Sequence, residues 1–190
     1  TESAVYQNPF SLDAGAIVQC RIFKQNKAIG PVVTKTFTKL SPKDPEQEIA
    51  LKPGLRYSAF TGQWDQIPSF SALDPQQSGI VENIDLKIQP RAEYFAVAYE
   101  GYLRVDHDGL YEFYLDSDDG SRLKIAGELV VDNDGLHSPE EKSGVIALKQ
   151  GVHSIQVDYL QASGGAMLDL YYAGPDFEKC SVPAEVFFYQ

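Results

Sequence analysis

Apolar residues recur at every second position over most of the chain, and no long stretch carries the 3.6-residue spacing of an amphipathic helix, so the chain reads as all-β. In "AIVQCRIF" (16–23) Val18, Cys20 and Ile22 share one face. After the polar "KQNKAIG" the run "PVVTKTF" (31–37) returns as the second arm of a hairpin. "LSPKDPEQE" (40–48) then breaks the rhythm with two prolines and four charges, which predicts a linker over 41–48 between a small unit, 1–40, and a larger one, 49–190. The larger unit opens with the aromatic-rich "LKPGLRYSAFTGQWDQIPSF" (51–70), a loop-like "SALDPQQSG" and a short strand at 80–84. Strands follow near 94–105, 110–115, 121–126, 128–131, 145–149, 152–159 and 166–172, punctuated by Gly, Asp and Asn. Short strands with turn signals at this spacing predict an antiparallel β-sandwich or barrel.

If each reversal is antiparallel, successive loops fall on alternate ends of the sandwich. Loops 116–120, 132–144 and 160–165 then share one end, which collects Asp116, Asp118, Asp119, Asp132, Asn133, Asp134, His137 and Gln161. The turns at 126–128 and 149–151 and the "DHDG" of 106–109 fall on the other, so Asp106 and Asp108 read as ordinary turn residues.

Composition narrows the classes of partner. Of 190 residues 43% are apolar, and no apolar run approaches the ~18 residues that a membrane helix needs. Sixteen basic residues face 27 acidic ones, a net charge of -11 that repels phosphate backbones and disfavours nucleic acid as a partner. Cys20 and Cys180 are compatible with a disulfide or with two small buried thiols. "TESAVYQNPF" opens without an initiator Met or a charged-then-apolar leader, which predicts a piece of a longer chain.

The acidic end offers the carboxylates, amides and carbonyls that a hard cation such as Ca²⁺ collects, six to eight oxygens at about 2.4 Å. The stretch "DSDDG" (116–120) supports two readings. Asp-Gly between alternating strands signals a hairpin, because Gly accepts positive φ and Asp caps its own turn. Joint chelation by Asp118 and Asp119 requires more, since neighbours in an extended chain point to opposite faces: a tight turn, a bulge or a cis peptide. His153 alternates with Ile155, Val157 and Tyr159 and reads as structural, whereas His137 can face a ligand. Trp64 reads as a core anchor or as a sugar-stacking platform. No Ser or Cys nucleophile signature and no zinc-ligand spacing is present, and the fragment reads as non-catalytic.

The pieces "GYLRV", "DGLYEFYLDSDDGSRL", "VVDNDG", "GVHSIQVDY" and "GGAMLDLYY", preceded by "GLRYSAFTGQW", resemble in order and spacing the anthrax protective-antigen-type (PA-fourteen) domain over about residues 50–190. The resemblance implies a β-sandwich of the kind found in secreted glycosidases, glycosyltransferases, adhesins and toxins. The best-understood members are calcium-dependent lectins, in which a cis-linked Asp-Asp pair, matching Asp118 and Asp119, and an Asn from a neighbouring loop, matched most nearly by Asn133, grip the ion. Residues 1–40 resemble the later strands of a fibronectin-III-like domain associated with bacterial β-N-acetylhexosaminidases.

Together these features predict a non-catalytic carbohydrate-binding module of a secreted bacterial glycoside hydrolase, located extracellularly, in the periplasm or at the cell surface. Its partners would be a glycan and the parent chain's catalytic domain, its cofactor calcium held by Asp118, Asp119 and Asn133, and its ligand-facing residues these three with Asp134, His137 and Gln161. The competing expectation is a spacer or adhesion module whose acidic loops are merely solvated turns.

Overall fold

The two-residue periodicity folds into strands almost throughout the computed structural model, which describes residues 4–47 and 50–190. Two units separate, Thr1–Ser41 and Pro42–Gln190. In the first, β1 (Ala16–Lys24) pairs antiparallel with β2 (Lys27–Phe37), and Ile17, Ile22, Phe23, Val33 and Phe37 stay exposed. A hairpin of this kind has no core of its own.

The second unit contains β3 (Lys52–Pro53), β4 (Leu55–Thr61), β5 (Gln77–Val81), β6 (Phe95–Val105), β7 (Gly109–Asp118), β8 (Ser121–Ile125) and β9 (Glu128–Asn133). They are followed by β10 (Glu140–Leu148), β11 (Gly151–Gln161), β12 (Met167–Gly174), β13 (Phe177–Ser181) and β14 (Phe187–Tyr189). A four-stranded sheet runs β10-β7-β12-β13. An eight-stranded sheet runs β3-β14-β6-β11-β8-β9, with β4 also on β6 and β5 on β4. Every strand pairing in the two sheets is antiparallel.

The core lies where alternate side chains of the two sheets meet. Tyr111, Phe113 and Leu115 of β7 face Val97, Tyr99 and Leu103 of β6, Val157 and Tyr159 of β11, and Leu123 and Ile125 of β8 within one buried cluster. Each such side chain contributes about 1.5 to 3 kcal/mol on burial. Strand β6 departs from alternation, with Phe95 through Tyr99 buried on both faces. Ile67, helped by Trp64 and Phe70, covers Ala96 and Leu160 on the outer face, so Trp64 packs as a half-buried anchor.

Two expectations change. Part of the segment 41–48 is not a free linker: Lys43 N donates to Ala147 O (2.9 Å), Lys149 N to Lys43 O (3.0 Å) and Glu46 N to Val152 O (2.8 Å). Two of its four charges pair, as Lys43–Glu128 and Asp44–Lys149. Glu48 and Ile49, where the linker was expected to end and the second unit to begin, lie outside the described residues. Cys20 and Cys180 are free and exposed rather than bonded or buried, because β1 and β13 present them to solvent. Among the described residues no helix is long and apolar enough to cross a membrane.

Candidate functional site at the three-loop end

The stretch 116–120 is not a hairpin. Strand β7 pairs with β10 and β12, and β8 pairs with β9 and β11, so "DSDDG" carries the chain from one sheet to the other. Nor does Gly120 adopt the left-handed conformation that a tight hairpin would ask of it. A Cβ at Gly120 would lie 2.8 Å from both N and O of Gly135, so glycine here admits a second loop, 134–139, against the crossover. By contrast "IAGEL" does turn a hairpin, with Ala126 and Gly127 at φ 49° and 76° between β8 and β9.

The Asp118–Asp119 peptide is cis. Asp119 is only 6% exposed. Its Oδ1 accepts from His137 N (3.2 Å) and its Oδ2 from Ala162 N (2.9 Å), so one carboxylate ties loop 134–139 and the start of loop 162–166 to the crossover. The buried Tyr159 hydroxyl sits between two acceptors, the Asp118 carbonyl oxygen and Gln161 Oε1. Gln161 Nε2 in turn donates to Gly165 O (3.0 Å). The loop convergence predicted by counting ends is therefore realised through named bonds.

Asn133 ends β9 with no exposed surface. Its Nδ2 donates to Ser117 Oγ (3.1 Å) and to Glu140 O (2.9 Å), while its Oδ1 is buried without a hydrogen-bond partner. An acceptor left so is costly, about 1 to 3 kcal/mol, and asks for a donor or a cation. His137 closes the loop over it. Nε2 lies 2.9 Å from Asn133 O and Nδ1 2.9 Å from Ser138 O, two acceptors that only a doubly protonated ring serves together. Burial alone would lower its pKa, but these two carbonyls, joined by Glu140, raise it above the ordinary histidine value. Asp118 is also shifted upward, first by burial and then by the adjacent Asp119 charge, against a downward pull from His137.

The PA14 domain family matches residues 51–185. The chain belongs to the PA14 domain family. Among solved structures, the PA14 sugar-binding domain from an RTX adhesin superposes with a TM-score of 0.62 at 18% identity, covering 73% of this chain and 99% of that one. The epithelial adhesin 9 A domain from Candida glabrata, in complex with Galb1-3GlcNAc, gives 0.61 at 11% identity, covering 79% and 95%. An anti-sigma factor domain-containing protein gives 0.61 at 22% identity over 73% of this chain, which spans 49% of that protein's length. No curated protein matches this sequence.

Within this PA14 domain the predicted site residues divide by what their side chains already do. Asp118, Asp119 and Asn133 come to one end, and they offer two carboxylates and an amide oxygen without a donor. This all-oxygen set suits a hard cation such as Ca²⁺ and not zinc. Among the described residues no group of three or more His, Cys, Asp or Glu is placed to hold a metal, so the amide oxygen of Asn133 is indispensable to the candidate set. Asp134 is fully engaged: Oδ1 accepts from Ile67 N (2.8 Å) and Gly135 N (2.9 Å), and Oδ2 pairs with Arg122. Gln161 is buried and braces loop 162–166, and Asp132 is exposed beside Arg122. Asp116 points from the outer face of the smaller sheet, between Glu141 and Asp169.

Two further segments reach this end that counting loop ends does not place there. Tyr94 N donates to Ala162 O (2.8 Å) and Gly62 N to Tyr94 O (3.0 Å), while Glu93 Oε1 accepts from Gly164 N (3.2 Å). Residues 62–67 and 91–94 thus buttress loop 162–166 from outside. They lie in the aperiodic stretches flanking β5, where the only hint is the cluster Arg91, Glu93 and Tyr94 just before β6.

Proposed function

We propose that this PA14 domain is a calcium-dependent glycan-binding module that does no chemistry itself. The observation that carries the reading is the buried, donorless Oδ1 of Asn133 on the end where Asp118 and Asp119 meet the 134–139 loop. In this reading Asp118, Asp119 and Asn133 hold Ca²⁺, which when bound supplies positive charge and open coordination positions for sugar hydroxyls. The chain's own residues build the rim. Asp119 fixes both flanking loops, His137 locks the turn after Asn133, and Gln161 with Tyr159 holds the backbone on which Ala162 to Gly165 present their edge. The sugar-binding PA14 domain of the RTX adhesin and the adhesin 9 A domain in complex with Galb1-3GlcNAc share the fold and favour a saccharide as the ligand.

The same reading makes the domain an accessory part of a longer secreted enzyme, a bacterial glycoside hydrolase of the β-N-acetylhexosaminidase kind, acting extracellularly, in the periplasm or at the cell surface. Its support is the resemblance of residues 1–40 to a fibronectin-III-like partner domain. The hairpin β1–β2 fits this reading, since its uncovered apolar side chains are those of a sandwich edge.

A thermal melt with millimolar Ca²⁺ or with chelator tests the site. A site filled at a hundredfold over Kd adds about 2.7 kcal/mol, a clear rise in Tm. Asp118→Asn removes a charge whose carboxylate takes no part in tying the loops, so the variant should melt like the parent in chelator and lose the Ca²⁺ rise. No Ca²⁺ shift in the parent chain refutes the metal reading. A glycan array with Ca²⁺ that stays blank refutes the lectin reading and leaves a spacer.

A further inference from the structure

The outer face of the larger sheet holds a second polar surface well removed from the three-loop end. Lys124 on β8, Gln156 on β11, Glu100 on β6 and Arg56 on β4 stand in one unbroken cross-strand row. The row lies four residues along β11 from Leu160, where the backbone bonds to Gly120, about 13 Å at strand rise. It lines an open groove of about 560 Å³. Three inter-strand steps make it about 14 Å long, the reach of a short oligosaccharide rather than of one sugar.

Its groups are held ready rather than spent on each other. Asp158, 3% exposed and one pleat below, accepts from Gln156 Nε2 (2.8 Å), which fixes the amide. A carboxylate is an acceptor only, so the Gln156 NH₂ faces it and Oε1 is left as the free acceptor. Arg56 is turned toward Tyr189, its guanidinium 5.3 Å from the ring centroid, and bonds to Gln190 O. Glu100 therefore lacks the ion pair its register suggests, and among the described residues neither it nor Lys124 has a salt-bridge partner.

Donors at the two ends of the row, Lys124 and Arg56, with acceptors between them, Gln156 Oε1 and Glu100, select the occupant. A polyanion meets Glu100, a polycation meets Arg56 and Lys124, and an apolar chain strips water from the unpaired charges of Glu100 and Lys124 without replacing it. A neutral, hydroxyl-rich chain satisfies all four side chains, since every hydroxyl both donates and accepts. We infer that this groove is a second, calcium-independent binding site for a neutral oligosaccharide strand, going beyond the proposed calcium site and independent of it.

The 190-residue chain is titrated calorimetrically, in chelator, with neutral β-1,4-linked hexasaccharides of glucose, xylose, mannose and N-acetylglucosamine. At least one should bind. Glu100→Ala and Lys124→Ala, surface changes whose unfolding curves should match the parent, should each weaken it about tenfold, as loss of a charged hydrogen bond does, while Asp118→Asn should change it by less than about twofold. Binding by none of the four in chelator overturns the inference, as does binding that survives both groove variants. Because the titration contains no free Ca²⁺, failure here leaves the calcium site standing, and failure of the calcium site leaves this result untouched.

Discussion

Strand β7 carries an aspartate-glycine signal at each end, "DHDG" before it and "DSDDG" after it, and both carry the chain between the two sheets. Before the strand, Asp106, His107 and Asp108 are exposed, and Asp108 Oδ1 makes one bond, from Gln150 N (2.6 Å). After it, Asp119 and Gly120 are buried, and the Asp119 carboxylate accepts from two other loops. The two glycines differ in the same sense. A Cβ at Gly109 would meet the ring of Pro175 at 2.8 Å, at an exposed turn, whereas one at Gly120 would meet backbone of Gly135 at 2.8 Å. The local signal is shared, and what distinguishes a candidate site from a turn is how many other loops arrive at it.

Substituting matched positions at the two ends breaks that comparison most directly. Asp119→Ala leaves the amides of His137 and Ala162 without their acceptor and should cost about 2 to 3 kcal/mol in urea unfolding, against about 0.5 to 1 for Asp108→Ala. Equal losses would mean that the three-loop end is no more tightly tied than the other. The glycine pair comes next. Gly120→Ala should cost about 2 kcal/mol by forcing loop 134–139 away, and should blunt any Ca²⁺ response, while Gly109→Ala should cost less than about 1 because a surface proline can move aside. If Gly120→Ala is silent in both melts, the contact with Gly135 does not shape the site.

The physical reasons for what was legible lie in these same residues. The burial of β7 alternates without a fault from Tyr111 to Asp118, yet the pattern predicted only 110–115, because its last inward residue is the polar Ser117. "DSDDG" was open to a hairpin reading because an Asp-Gly signal is local, whereas the sheet to which β7 belongs is decided by strands β10 and β12 far along the chain. The count of loop ends survived that error, since a crossover between sheets reverses direction as a hairpin does. The residues of "VVDNDG" by themselves do not tell Asn133 from Asp134, and only the family resemblance points to Asn133 as the calcium ligand. Their separation rests on the β8–β9 register, which sets Arg122 opposite Asp132, within reach of the Asp134 carboxylate, and buries Asn133 opposite Ser121. Loop position alone sets Gln161 among the ligand-facing residues, but it ends a strand whose last five residues are all buried.

The smallest effect separates position from charge within the one stretch. Asp116 stands in register between Glu141 on β10 and Asp169 on β12, three carboxylates side by side on an exposed sheet face, with Lys179 bonded to Glu141 (2.5 Å). Partial burial first, and then the charges of Glu141 and Asp169, raise the Asp116 pKa, while Lys179 pulls it down. A carboxyl whose folded pKa is raised takes up its proton more readily in the native state than in the unfolded one. Its ionised form therefore costs stability above the raised pKa, and that cost disappears as the pH falls through it toward the unfolded value. Asp116→Asn should thus stabilise the chain at neutral pH by a few tenths of a kcal/mol, about what like charges on adjacent strands cost. The gain should shrink to nothing as the parent's own carboxyl becomes neutral on acidification. Urea unfolding of parent and variant at neutral pH and at several acidic values reads the difference. A gain that stays constant across that range would mean that Asn merely packs better there, and that the acidic row on the sheet face exerts no strain of its own on the end of β7.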